Sequence, residues 1–447
     1  MKLQRVAHAL GLRIVMSLAT LPALPALAVD LPTAWQAALM SDPTLASAIA
    51  NRDAAAENIA IARARLLPQV SLQSTTQHLE QTTVQGGLSS DFSGRSSSTQ
   101  LALRQGVYRP RDWRGMDIAR SQAELGESKL LAAQSDLWNR TAVAWVEVLT
   151  AQALRDLFAR TLEAATVQAE QEERRFRAGE GTRDAVAETA AQRSAVRARL
   201  TEAGLELQAK VQAFNLLTRL GVAGLEDDRL PTVAALDLIP EPEQGMLDRI
   251  LAVNPELAAA RANEALSERR LAQASADHLP TLDVVGAVNR AENDSTNTLG
   301  TRYRNVQLGV QLVIPIFNGG GVSASQRQAA AAYVAATADR DAVAQRLRVQ
   351  FGSDWRAQAG LRERAMGAME LVQAALEQRR AIELSVKKGF KTWADVGTVN
   401  QLLARRESDV VDAIGLLLKT QARLLSLLPT ADPAWSRWAL GLANPMN

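Results

Sequence analysis

The sequence predicts a mixed α and β chain, internally duplicated, in which very long coiled-coil helices are interrupted by short β-hairpins. Three observations lead there. The first is a repeat. Pro43-Thr44-Leu45-Ala46-Ser47-Ala48-Ile49-Ala50-Asn51 returns as Pro255-Glu256-Leu257-Ala258-Ala259-Ala260-Arg261-Ala262-Asn263, and the same register carries Leu67-Pro68 onto Leu279-Pro280. Further along, Val107-Tyr108 answers to Ile316-Phe317, Trp145 to Trp355, Gly179 to Gly389, Thr182 to Thr392 and Val186 to Val396. Two copies alone point to a closed object made of duplicated halves rather than an open-ended solenoid. The second is the placing of proline, absent from residues 111–230 and from 316–428 although the chain has 15. Proline in a helix interior costs about 3 kcal/mol, so such stretches permit very long helices. The third is a run of period-two alternation between helical segments in each half.

Residues 1–28 read as a secretory signal peptide: a head with Lys2, Arg5 and Arg13, an apolar run from Ile14 to Leu21, and Ala26-Leu27-Ala28 before Val29-Asp30. A membrane anchor would need ~20 apolar residues and meets Pro22 and Pro25 too early. That segment carries three positive and no negative charges, so its removal takes the formal charge from +2 to −1. No basic excess then remains to attract nucleic acid, and no polybasic patch with interleaved aromatics occurs. The chain contains no cysteine, so packing and assembly rather than disulfides must hold it together. A lipid-attachment cysteine is absent for the same reason.

The first structural repeat is expected over 29–220 and the second over 245–428, with a linker at 221–244 and a tail at 429–447. Helices are expected at 33–66, 111–178 and 183–220, and again at 245–278, 322–388 and 394–428. Ala, Leu, Arg, Glu and Gln fill them, and Leu130, Leu137, Ala144, Ala151 and Phe158 recur every seven residues. Trp138, Trp145, Val148 and Leu149 widen that stripe. At 1.5 Å per residue the middle helix of each trio is roughly 100 Å long. Gly179 and Gly181 break the first helical hairpin and Gly389 the second.

The β-hairpins are expected at 68–109 and 280–318. In Val306-Gln307-Leu308-Gly309-Val310-Gln311-Leu312-Val313-Ile314 the even positions are apolar and the intervening ones up to Gln311 polar or small. Leu101, Leu103 and Val107 share a face in the counterpart strand, and further strands are expected near 69–79 and 281–291. Residues 80–97 and 292–302, rich in Ser, Thr, Gly, Asn and Asp, read as solvent-exposed loops. Strands of ~10 residues, apolar on one side and polar on the other, suit a membrane β-barrel.

Four strands cannot close such a barrel, and open edges in lipid leave backbone groups unpaired at several kcal/mol each. The smallest membrane barrels have about eight strands, so the chain must assemble with copies of itself. Polar faces on strands and helices favour a hollow tube, which predicts a homotrimer. The fold class expected is therefore a long coiled-coil α-helical barrel plus a transmembrane β-barrel in outer-membrane lipid, completed by trimerisation with four strands per chain.

These features resemble the TolC-type outer-membrane channel-tunnels of Gram-negative export and efflux systems over residues 30–430. The resemblance rests on Asp42-Pro43 and Asn254-Pro255 as duplicated helix starts, the Leu-Pro exits, the junction Leu312-Val313-Ile314-Pro315-Ile316-Phe317-Asn318-Gly319-Gly320, and the Gly389…Asp395-Val396 hairpin. It implies an outer-membrane location, a tunnel through the periplasm, and a mixed domain at its waist, to which the linker and tail belong. It implies as partners a periplasmic adaptor and an inner-membrane ABC transporter or proton-driven pump. It further implies a gate at the periplasmic tip, where Asp395 matches a first acidic ring and Thr398 departs from a second. Lys391 stands where the family often has an arginine link, and Asp184 lies one residue out of register from a carboxylate partner. Three copies of Asp395 would repel one another, raise their pKa and attract cations; as a first-turn residue Asp395 also suits the helix dipole.

Catalysis has little to work with. Of three histidines, His8 lies in the signal segment, and His78 and His278 sit in or beside the β segments. Gly319-Gly320-Gly321 lacks the lysine of a phosphate loop and reads as a tight strand-to-helix turn, with Pro315 at the strand's end. No cofactor is expected. The functional expectation is a passive conduit, with type I secretion of proteins such as RTX-type toxins or adhesins as the leading cargo by analogy with non-lipidated relatives. A multidrug efflux channel and a soluble periplasmic coiled-coil adaptor are the alternatives.

Overall fold

The computed structural model describes residues 30–225, 230–232, 242–293 and 301–429. The signal segment, most of the tail and parts of the linker and of the 292–302 loop lie outside these. The elements run α1 (Leu31–Ser41), α2 (Pro43–Ala64), β1 (Gln69–Gln85), β2 (Leu88–Tyr108), α3 (Pro110–Arg177), α4 (Arg183–Thr218), α5 (Glu243–Val253), α6 (Pro255–Ala276), β3 (Thr281–Asn293), β4 (Thr301–Val313), α7 (Gly321–Lys387) and α8 (Trp393–Ser426).

The expected single helices at 33–66 and 245–278 are each two helices. Asp42 and Asn254 interrupt them with extended-like backbone, and their side chains accept hydrogen bonds from the amides of Leu45 and Leu257. Pro43 and Pro255 sit at the first helical position, where the missing N–H is no loss. Asp42 is buried and also receives hydrogen bonds from Arg140 on α3 and from Thr44. Burial alone would raise its pKa, but the bonds from Thr44, Arg140 and the Leu45 amide outweigh that and hold it below the usual value. The short helices α1 and α5 created by these breaks pack at mid-length of the long ones.

The long helices α3 and α7, of 68 and 67 residues, carry the architecture. Near the sheet, α2 packs on α3, α3 on α6 and α6 on α7; at the far end α4 packs on α3, α3 on α8 and α8 on α7. The half-length helices therefore stack end to end, α2 on α4 and α6 on α8. The joints are tied: Ser41 Oγ donates to the Leu217 carbonyl and Asn254 Nδ2 to the Leu427 carbonyl, each at 2.8 Å. These bonds satisfy carbonyls that a helix end leaves orphaned.

The main core lies at this mid-length level. Trp138, Trp145 and Leu149 of the α3 stripe meet Phe214 of α4, Met246 and Ile250 of α5, Phe351 of α7 and Leu417 of α8. Leu225 and Leu230 from the linker pack there too. The sequence-level heptad positions Leu130, Leu137 and Ala151 are buried as a coiled-coil seam requires.

The four strands form one antiparallel sheet in the order β1-β2-β3-β4. The expected loop at 80–97 is a correction: β1 and β2 continue through it, turning only at Gly86-Gly87, where both residues have positive φ. Its polar residues belong to paired strands that are largely exposed, not to a turn.

Truncating the Trp145 side chain (Trp145→Ala) is expected to destabilise the protein by about 3–5 kcal/mol, since it empties the centre of the helical core. Circular dichroism melts of the detergent-solubilised protein check this; an unchanged melting temperature refutes the assignment of the core.

Candidate channel wall and tunnel tip

The sheet has two chemically opposite faces, and the register shows it row by row. Val70, Leu103, Gly286 and Leu308 lie side by side across the strands, as do Leu72, Leu101, Val288 and Val306 in the next row. On the other face the corresponding rows are Ser71, Ala102, Ala287 and Gln307, then Gln73, Gln100, Asn289 and Asn305. Leu308 is 81% exposed and Val310 67%, so nothing among the described residues covers the apolar face. From Val306 in β4 to Ile314, the residue just past its end, alternate positions are apolar, a path of about 26 Å at roughly 3.3 Å per residue. That length matches the roughly 9–11 residues that a tilted strand needs to cross a membrane. Tyr108 and Trp113 stack edge to face at 5.2 Å at the helix end of the sheet, a position suited to the headgroup level.

At that same end a charged cluster faces the polar side. Asp283, 1% exposed, accepts from Arg104 Nη2 at 2.6 Å and from Arg109 Nε and Nη2 at 2.6 and 2.7 Å. Arg109 also reaches Asp112 at 3.3 Å. One carboxylate thus ties β2, β3 and the start of α3 at the bend from strand to helix. Sequence reasoning missed this cluster. Its signal was an aspartate flanked by Leu282 and Val284 on the polar phase of an alternating strand.

At the other end of the molecule the two helical hairpins turn through equivalent caps. Gly179 and Gly389 both have φ of 79°, a left-handed conformation that other residues adopt only with strain. Gly179 N donates to Phe176 O and Glu180 N to Arg175 O; Gly389 N donates to Val386 O and Phe390 N to Ser385 O. At Gly181 the fit is close, since a Cβ there would lie 3.0 Å from the Phe176 backbone nitrogen. Thr182 and Thr392 then cap α4 and α8.

The candidate gate residues gather at this tip. In the second hairpin Thr392 and Asp395 form a reciprocal capping box: Thr392 N and Oγ1 donate to Asp395 Oδ2 at 2.8 and 2.9 Å, and Asp395 N donates back to Thr392 Oγ1. The bonds from the Thr392 amide and hydroxyl, with Lys391 nearby, hold the Asp395 carboxyl below its usual pKa within one protomer. Thr398 is exposed one turn on and bonds back to the Ala394 carbonyl. Asp184 is exposed on α4, and the capping box is missing from the first hairpin because Ala185 occupies the position equivalent to Asp395. Gly319 and Gly320, with positive φ, turn the chain from β4 into α7. Pro315 stands in the link before them. No cluster of acidic, histidine or cysteine residues able to hold a metal occurs among the described residues.

A profile of the family described as "Outer membrane efflux protein" matches residues 34–222 and 246–429, both halves of the repeat. The chain belongs to the outer membrane efflux protein family. It is 30% identical to the outer membrane protein TolC of Vibrio cholerae over 86% of this chain and 84% of that one. It is 31% identical to the proteases secretion protein PrtF of Dickeya chrysanthemi, covering 85% and 84% respectively. In fold it is similar to the CmeC outer membrane channel of Campylobacter jejuni, with a TM-score of 0.75 at 15% identity, covering 93% of this chain and 90% of that one. This family member is an outer-membrane export channel extending into the periplasm, its helical tunnel and β-barrel completed by trimerisation.

The two faces of the sheet make opposite demands on one substitution. Leu308→Arg, on the lipid face, is expected to cost about 2–4 kcal/mol and to deplete the protein from outer membranes. Gln307→Arg, one residue away on the other face, is expected to leave membrane levels unchanged and to shift ion selectivity towards anions. Immunoblotting of membrane fractions and planar-bilayer recording measure the two effects; equal depletion by both refutes the facing.

Proposed function

We propose that the trimer is the outer-membrane conduit of a type I protein secretion system. In this reading it receives polypeptide cargo from an inner-membrane ABC transporter through a periplasmic adaptor docked at the tunnel tip. The observation that carries the proposal is the 31% identity to a proteases secretion protein across most of both chains. The absence of any cysteine supports it, since lipid attachment through one is thereby excluded. No helix among the described residues is long and apolar enough to cross a membrane; in this reading the inner-membrane transporter supplies the energy. A second reading, small-molecule efflux with a proton-driven pump, is favoured by the match to the family described as "Outer membrane efflux protein". A deletion strain distinguishes the two. Loss of particular proteins from the culture medium with unchanged drug susceptibility is expected; the reverse pattern overturns the secretion reading.

We also propose that Asp395, with Lys391, Thr398 and Asp184 nearby on the tip, forms the periplasmic constriction. Its capping role and its charge separate by substitution. Asp395→Asn retains an acceptor for Thr392 but removes the charge, whereas Asp395→Ala removes both. In channel recordings both variants are expected to lose cation preference and divalent-cation block at neutral pH. The wild-type preference is expected to fade as pH falls through the carboxyl's pKa, because only the ionised ring attracts cations. Unchanged selectivity in Asp395→Asn refutes the ring.

A further inference from the structure

The outward face of the sheet changes character one row beyond the apolar band. Val288 and Val306 are the last apolar pair on β3 and β4. Two residues further from the helices the register sets Arg290 directly opposite Arg304, and the next outward row sets Glu292 opposite Arg302. One such step is about 6.6 Å of strand. These residues therefore stand just past the hydrocarbon, at the end of the barrel remote from the periplasmic helices. That is the headgroup level of the outer leaflet.

Opposed like charges on neighbouring strands have Cβ atoms about 5 Å apart and repel. Arg302 is compensated by Glu292 at 2.8 Å. Arg290 and Arg304 are both exposed, and neither has a hydrogen bond or ion pair among the described residues. Two guanidinium groups fixed side by side, with planar donor forks and no carboxylate between them, complement a phosphate group.

We propose that Arg290 and Arg304 form a site, repeated in each protomer, for the phosphate of an anionic phosphorylated lipid in the outer leaflet. The site fixes the height of the barrel in the membrane from its outer side, while Tyr108 and Trp113 mark the inner side. The lipid rather than a soluble anion is its ligand, because the pair adjoins the apolar rows that contact acyl chains. The proposal rests on the outer-membrane placement of the sheet and is independent of which cargo passes.

The test uses the delipidated, detergent-solubilised trimer and native mass spectrometry with three probes: a bis-phosphorylated lipid A-type glycolipid, the same glycolipid after phosphatase treatment, and inorganic phosphate. Wild-type trimer is expected to retain the phosphorylated glycolipid and to bind the dephosphorylated one at least tenfold more weakly. The double variant Arg290→Gln/Arg304→Gln is expected to lose about 30-fold in affinity, the effect of two arginines at a membrane surface. Its single-channel conductance should stay unchanged, showing an intact trimer. Arg290→Lys/Arg304→Lys keeps the charge without the planar forks and is expected to recover only part of the binding. Equal binding of both glycolipids by wild-type protein, or no loss in the Gln variant, overturns the proposal. Displacement of the glycolipid by micromolar inorganic phosphate also overturns it, because the ligand is then a free anion.

Discussion

Along the outer edges of β1 and β4 run backbone N–H and C=O groups that the four-stranded order leaves without strand partners within the protomer. The apolar face of the same sheet places those edges in hydrocarbon, where no water can satisfy them. Each unpaired group there costs several kcal/mol, which no helix packing elsewhere in the chain can offset along a whole strand. Assembly is thus imposed by the membrane on this sheet. The helical part follows: a layer continuous with a barrel wall must itself close around the same axis, so the tunnel inherits its symmetry from the strands.

The long helices answer a problem of reach. A tunnel of roughly 100 Å made from uninterrupted helices needs sequence free of proline over nearly seventy residues, twice. The partner positions are filled by half-length helices stacked end to end, and the joints fall where α1 and α5 dock. Stacking leaves orphan carbonyls at α4 and α8, and Ser41 and Asn254 meet them from the neighbouring segment. The Asp/Asn-Pro motif therefore does two jobs. It starts a helix, and at the second joint its Asn254 side chain also closes the end of the helix below.

Charged groups mark each border of the molecule. Asp283 with Arg104 and Arg109 secures the bend from strand to helix, the paired arginines mark the opposite rim, and Asp395 caps the helix at the tip. Removing one partner from a buried charged group is costly, so the Asp283 cluster fixes the geometry of the bend more firmly than an apolar contact would. The tip is different. The capping bonds of Asp395 are exposed and local.

Much of this architecture was legible in the chain itself. Proline-free stretches and heptads located α3, α4, α7 and α8, alternation in 306–314 located the lipid face, and Gly179 and Gly389 located the turns, because each is a local consequence of backbone sterics or side-chain period. Even the need for copies followed from counting strands. What the chain did not disclose was long-range. The split at Asp42 and Asn254, the continuation of β1 and β2 through 80–97, and the convergence of Arg104 and Arg109 on Asp283 from 174 or more residues away depend on which segments become neighbours. Polar residues at 80–97 suit a loop or a strand wet on both faces equally well, and only pairing with the adjacent strand decides between them.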